Sequence, residues 1–372
     1  MESAEVSTLI LKTKKGRGKN MKKQEIVSVD FGYGYTKAIS SNGKRIIFPS
    51  VVGSGRERGL ASFIKNKKAT EEQRDLTEMH IKVDGKHFYV GEMAEKNSND
   101  SSRIFDRERY NHEYTPILYH VAIQQIVEPD VEEVILLAGL PLNYYKSQVK
   151  PFKEKLLGKS LEIEWISGLP QQRKKVNIAQ VEVFPQGYSA VLSTIQNSEG
   201  KFINSDLLEE GNQLAIIDIG FRTTDVCVVE MKGKGAFSPL IQYSATIDQG
   251  VVNLYEFIKK AYQEKTQGSD VSDSKIKRIL EKKYINYKGK KIDLSKEVEE
   301  ARQSVTNGIS DSIKMLWKDE LDTIDQIYVI GGGSYEFGDY MQKNFDNRLK
   351  TIVDSQFANA ISYYRMWKIL TA

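Results

Sequence analysis

The sequence holds one cysteine among 372 residues, so no disulfide can form within the chain. Cys227 lies inside an apolar run, and a lone thiol fits a reducing, cytoplasmic compartment. Long apolar runs are also missing. The longest, residues 134–142, falls far short of the roughly 20 residues that a membrane-spanning helix needs. No apolar segment followed by a cleavage site opens the chain, so no signal peptide is expected. Histidine is scarce: His80, His87, His112 and His120 match no zinc spacing and are expected on the surface. Two common nucleotide motifs are absent too. There is no G-x-x-x-x-G-K-[ST] run, which excludes a P-loop NTPase. Gly32-x-Gly34 and Gly331-x-Gly333 fail to complete G-x-G-x-x-G, because Lys37 and Glu336 occupy the third-glycine positions.

What is present is an ordinary globular composition, 40% apolar and 28% charged, in a chain long enough for two domains. The net charge of +4 is uneven. Residues 1–23 carry +5, through seven Lys and Arg against Glu2 and Glu5, which leaves the body near −1. This basic leader reads as a disordered extension, with Met21 as a second possible start, in preference to a nucleic-acid or membrane arm.

From Glu25 onward, short apolar runs alternate with helical patterns, which argues for α/β layers. Strands are expected at 26–30, 45–48, 87–90, 134–138, 181–184, 214–218, 226–229 and 327–330, with a further one through Ala38 and Ile39 after the turn at 31–37. Helices are expected at 115–127, 190–195, 251–262, 273–283 and 295–317. A polar, basic stretch at 54–75 reads as a loop or surface helix, and 197–211 as a linker.

The chemistry concentrates in a repeated opening. Twice, 188 residues apart, a buried strand ends in Asp-x-Gly, turns, and returns as a second strand: at Asp30 with Gly32, and at Asp218 with Gly220. A carboxylate at the carboxyl end of such a strand sits where α/β folds place ligands. The glycine permits close backbone approach, and the turn's N–H groups form an anion-binding concavity. Tyr33, Gly34 and Tyr35 complete the first turn, and Thr36, Lys37, Thr223 and Thr224 add hydroxyls and a charge. Asp30 and Asp218, facing each other, suit magnesium held through water. Either hairpin alone is a common β-turn opening; the pair is the signal. Gly331-Gly332-Gly333, followed by Ser334 and Tyr335, suits a backbone lying against a base or ribose.

The order VSVDFGYGYTK, FPQGYSAV, IDIGFRTTDV and YVIGGGS resembles the phosphate-1, connect-1, phosphate-2 and adenosine segments of the actin, sugar-kinase and heat-shock-chaperone superfamily. The LLAGLPLNYY turn, the IDIGFRTTD loop and the DSQFANAISYYRMW run are most similar to the bacterial plasmid-segregation actins of the ParM (StbA) family. That resemblance implies an actin-like two-domain α/β fold. Each domain would hold a mixed sheet of five-stranded type flanked by helices, with a nucleotide cleft between the domains. Domain I would span 24–205 with an insert at about 49–110, domain II 206–355, and a helix at 356–372 would return to domain I.

The implied activity is hydrolysis of ATP or GTP with magnesium, coupled to assembly into a polar filament of the chain itself. An adaptor of ParR type would link the filament to centromere-like plasmid DNA, which the chain would touch only indirectly, and no membrane would be involved. A small-molecule (sugar-type) kinase of the superfamily, or a cell-shape or division actin, is the alternative. By the resemblance, Asp30 and Asp218 are the magnesium-side carboxylates, Lys37 contacts a phosphate and Gln186 orients the attacking water. Gly250 belongs to a segment near the sugar and phosphates. Two departures stand out: Tyr33 replaces a small hydroxyl residue, and Phe221-Arg222 replaces an Asp-Gly pair. The second leaves one magnesium-side carboxylate missing and makes Arg222 either a phosphate contact or an outward-pointing side chain.

Overall fold

The computed structural model describes residues 23–56, 75–98, 102–103, 108–169, 172–197 and 199–371. The leader up to residue 22 and most of the polar stretch expected at 54–75 lie outside the described residues. Strands of the first half are β1 (Gln24–Phe31), β2 (Tyr35–Ser40), β3 (Arg45–Pro49), β4 (Val51–Ser54), β5 (Met79–Val83), β6 (Lys86–Val90), β7 (Ser102–Arg103), β8 (Glu133–Leu140), β9 (Ser160–Ser167) and β10 (Gln172–Pro185). Those of the second half are β11 (Gln213–Ile219), β12 (Thr224–Met231), β13 (Phe237–Pro239), β14 (Ala245–Ile247), β15 (Tyr284–Tyr287), β16 (Lys290–Asp293), β17 (Gln326–Ile330) and β18 (Leu349–Thr351). The helices are α1 (Glu92–Asn97), α2 (Thr115–Ile126), α3 (Leu142–Leu156), α4 (Val191–Ile195), α5 (Val251–Lys265), α6 (Asp273–Lys282), α7 (Ser295–Trp317), α8 (Ser334–Gln342) and α9 (Ala358–Thr371).

The two halves share one strand plan. The first sheet contains the order β3-β2-β1-β8-β10, the second β13-β12-β11-β17-β18. In each, the opening strand pairs antiparallel with the next and parallel with a later one, β1 with β2 and β8, β11 with β12 and β17. The chain therefore forms two α/β lobes of actin-like type. The first sheet runs on past five strands. β9 folds back on β10 and pairs with β5, which joins β6, β4 and β7 to a ten-stranded whole. β10 is longer than the strand expected at 181–184, because buried Val176 and Ile178 extend the period-2 pattern backward. β5 was not among the expected strands. The expected linker at 197–211 holds a bridge from Gln196 to Phe202 and a 3₁₀ turn at Ser205–Leu208.

Alternation along the central strands decides where the carboxylates point. Ala215, Ile217 and Ile219 pack beneath α5, α7 and α8, while Leu214 and Ile216 face α4 on the other side. Asp218 belongs to the second set. In β1, Val27, Val29 and Phe31 pack beneath α2. Ser28 faces away, donating to the carbonyl of Ala360 in α9 at 2.6 Å, and Asp30 shares its face. The side chains at 28, 30, 214, 216 and 218 thus turn toward the layer that α4 and α9 fill between the sheets.

The histidine expectation needs correction. His80 and His120 are buried. His120 sits in α2, whose residues are almost all buried, so even its polar positions are enclosed. His80 pairs with His87 across the β5–β6 hairpin at 2.9 Å between ring nitrogens. No helix among the described residues is long and apolar enough to cross a membrane.

Candidate functional site

The two Asp-x-Gly turns close in the same way: Gly32 N–H donates to the Tyr35 carbonyl at 3.1 Å, and Gly220 N–H to that of Thr223 at 2.9 Å. A Cβ on either glycine would come within 2.8 or 2.9 Å of that same carbonyl, so the turns demand glycine. Across the ladder, the register sets Asp30 opposite Lys37, and Asp218 opposite Asp225.

Asp30 is buried and doubly held. Lys37 Nζ donates to its Oδ2 at 3.0 Å, and Gln186 Nε2 to its Oδ1 at 3.2 Å. Asp218 is also buried, and the Asn359 amide Nδ2 donates to its Oδ2 at 2.6 Å. Burial pushes the Asp218 carboxyl up to about 7, and the charges of Asp30 and Asp225 add to that push against Lys37 and Asn359. Asp225 accepts from Thr246 Oγ1 at 2.5 Å. Among the described residues no three metal-binding side chains are close enough to cage an ion directly. Separated carboxylates of this kind fit an ion that keeps its water shell.

The hairpins, α6 and α8 enclose a cleft of about 430 Å³, within the range of small-ligand pockets. Asp30, Gly32, Tyr33, Gly34, Tyr35, Lys37, Gln186, Asp218, Gly220, Thr223, Gly332, Gly333 and Tyr335 all line it. Other expected residues lie behind the wall. Thr36 is fully buried against Ser50 Oγ at 2.9 Å. Thr224 donates to the Gln249 carbonyl at 2.8 Å, and Ser334 to that of Gly331, also at 2.8 Å. Their hydroxyls are committed to the fold. Gly331 and Gly250 act through close approach: a Cβ would come 2.4 Å from Asp218 Oδ1 at Gly331, and 2.8 Å from the Gly220 carbonyl at Gly250. Arg222 lies over the Tyr33 ring, 5.5 Å from its centroid, and is not part of the lining.

Several lining residues were not anticipated. Asp225 supplies a second carboxylate in the second lobe, where Phe221-Arg222 had suggested a loss. Its position seven residues after Asp218 matches that of Lys37 after Asp30, a correspondence visible in the sequence once the hairpins are aligned. Lys277 and Glu281, one turn apart on α6, also line the cleft, as does Asn359 at the start of α9. Nothing local marks Asn359 in the sequence.

Two sequence families match the chain: "Actin like proteins N terminal domain" over residues 28–188, and "Archaeal actin homologue MreB-like, C-terminal" over residues 216–343. A protein described as an archaeal actin homolog, from Thermoplasma acidophilum, is 25% identical over 351 residues, covering 91% of this chain and 97% of its own. A 15-stranded ParM filament from Clostridium botulinum has a subunit that superposes with a TM-score of 0.81 at 26% identity, covering 93% of this chain and 99% of its own. A non-polymerisable quadruple mutant of pCBH ParM gives 0.77 at 27% identity, covering 93% of this chain and 100% of its own.

Proposed function

We propose that this chain, which belongs to the actin-like proteins of the ParM family, binds a magnesium nucleoside triphosphate in the inter-lobe cleft and hydrolyses it as its filaments turn over. The observation that carries this reading is the pair of matched hairpins, which bring Asp30 and Asp218 to one cleft with Gly332 and Gly333 on its wall. The fit is chemical as well as steric. Burial and the charges of Asp30 and Asp225 push the Asp218 carboxyl up to about 7, and a bound cation would favour its charged form. Magnesium, held through water by Asp30, Asp218 and Asp225, would neutralise the phosphates' developing charge.

The chain's own groups do the positioning. Turn N–H groups and the Lys37 ammonium meet the phosphates, and Asp30 holds Lys37 in place. Asp30 also fixes the Gln186 amide through its Nε2, which keeps Oε1 as an acceptor to orient a water molecule for attack. Lys277, Glu281 and Tyr335 are suited to the sugar and base. Filament formation is proposed from the likeness to the ParM filament, and DNA segregation through a ParR-type adaptor from the same family reading.

The test is sedimentation over time after a limited pulse of magnesium-ATP or magnesium-GTP. Gln186→Ala should hydrolyse roughly 10²–10⁴-fold more slowly, still bind triphosphate, and form polymers that outlast those of the wild type. Equal disassembly rates would remove Gln186 from the chemistry. If neither protein pellets, and hydrolysis is stimulated by a small hydroxylated substrate, the sugar-kinase reading replaces this one.

A further inference from the structure

Arg103 ends the two-residue strand β7, paired to β4 at Val51, and its side chain is 10% exposed. Its guanidinium touches both lobes. Nη1 donates to the Gly34 carbonyl at 2.8 Å, at the tip of the first hairpin. Nη2 pairs with Glu95 of α1 in the first lobe. Nε donates to Asp273 Oδ2 at 3.2 Å, the first residue of α6 in the second lobe. The plane also lies over the Phe221 ring of the second hairpin, 4.8 Å from the centroid.

From these contacts we infer that Arg103 is a positioning residue, a strut that ties the two phosphate hairpins together and so slows opening of the cleft around bound nucleotide. The inference rests on the nucleotide-binding reading above and adds a component to it. Gly34 and Glu95 belong to one lobe, Phe221 and Asp273 to the other, so separation of the lobes breaks half of the set. The hairpin tips already touch at this point: a Cβ on Gly34 would lie 2.5 Å from Phe221 Cβ. Charge makes the strut directional. Burial raises the Glu95 carboxyl above its usual range, Arg103 opposes that rise, and Asp273 adds to it. Without the guanidinium, two carboxylates would face each other across the lobes and repel. A lysine cannot replace it, because a single ammonium lacks the planar fork that serves several acceptors and stacks on a ring.

The test is stopped-flow release of magnesium-bound methylanthraniloyl-ATP and methylanthraniloyl-GTP from the full chain. Arg103→Met should release nucleotide at least about tenfold faster, the low end expected for loss of a hydrogen bond to a charged group. Arg103→Lys should fall between it and the wild type. Asp273→Asn, at a half-exposed helix start, should speed release while leaving the nucleotide-free melting temperature unchanged. The double variant Arg103→Met/Asp273→Asn should release nucleotide no faster than Arg103→Met alone, because both changes break the same contact and the second also removes the repulsion from Glu95. Wild-type release from both single variants, or effects that multiply independently in the double variant, would overturn the strut. Should Arg103→Met fail to fold, Asp273→Asn with Arg103→Lys carries the same test. Absence of any nucleotide signal from the wild type would instead overturn the nucleotide-binding reading itself.

Discussion

Across the ladder from Asp30 stands Lys37; across from Asp218, at the matching position of the second hairpin, stands Asp225. The backbone is the same in both, down to the glycine that bonds to the carbonyl three residues on. The charge is not. In the first lobe the buried carboxylate is compensated within its own hairpin, at 3.0 Å from an ammonium. In the second, a buried carboxylate faces another, and burial together with Asp30 and Asp225 pushes it up to about 7. One copy of the plan has become a self-contained ion pair. The other sets two carboxylates opposite each other, with no ammonium in the matching place.

The largest way to break this comparison is Asp218→Ala. Removal of this buried carboxylate should lower kcat for nucleotide hydrolysis by about 10²–10³-fold, the scale of losing a preorganised charge-stabilising group. Steady-state phosphate release measures it. Turnover at the wild-type rate would mean that Asp218 has no part in the chemistry.

A smaller effect separates the hairpin tips. Gly34 meets Phe221, whereas the equivalent position of the second turn is Arg222 and lies over Tyr33. Gly34→Ala should force the tips apart at a cost of about 1–3 kcal/mol, typical of overpacking, and weaken nucleotide binding accordingly. Phe221→Ala in the same chain should recover much of that loss in a binding titration. If it does not, Gly34 is needed for turn conformation and not for contact between the lobes.

The smallest effect is one of pH. The ordinary value for Asp218 is 3.8, and in the fold it is about 7. Between those values the nucleotide-free fold keeps a proton that the unfolded chain has released. Stability from this group is therefore complete below about pH 4 and is lost as pH rises through 7. Asp218→Asn removes that loss, so the variant should melt above the wild type at pH 8. At pH 5 the gap should narrow. A gap of equal size at both values, read from thermal melts without nucleotide, would mean that Asp218 ionises normally.

Much of the architecture was legible because it is written in local periodicity. The helix expected at 295–317 is observed as Ser295–Trp317, since a 23-residue amphipathic pattern leaves little choice of boundary. The opening strands β1 and β11 and their glycine turns were equally plain. β5 was not expected although Met79, Ile81 and Val83 alternate with His80 and Lys82 as in a half-buried strand; the run is only five residues long, and pairing with β6 and β9 on its two edges fixes it in the sheet. The histidines at 80 and 120 were misplaced for a related reason: a polar side chain is enclosed when both faces of its element are covered.

By itself the sequence determined the two hairpins, their aspartates and glycines, the alternation of strand and helix, and the absence of a disulfide, because these follow from short-range spacing. The tertiary structure alone decided how the site is charged. Gln186 reaches Asp30 across 156 residues of chain, Asn359 reaches Asp218 across 141, and Arg103 reaches Asp273 across 170. A carboxylate's protonation depends on burial and on charges a few ångströms away, and the lobes that bring those charges together are assembled from segments no local pattern connects.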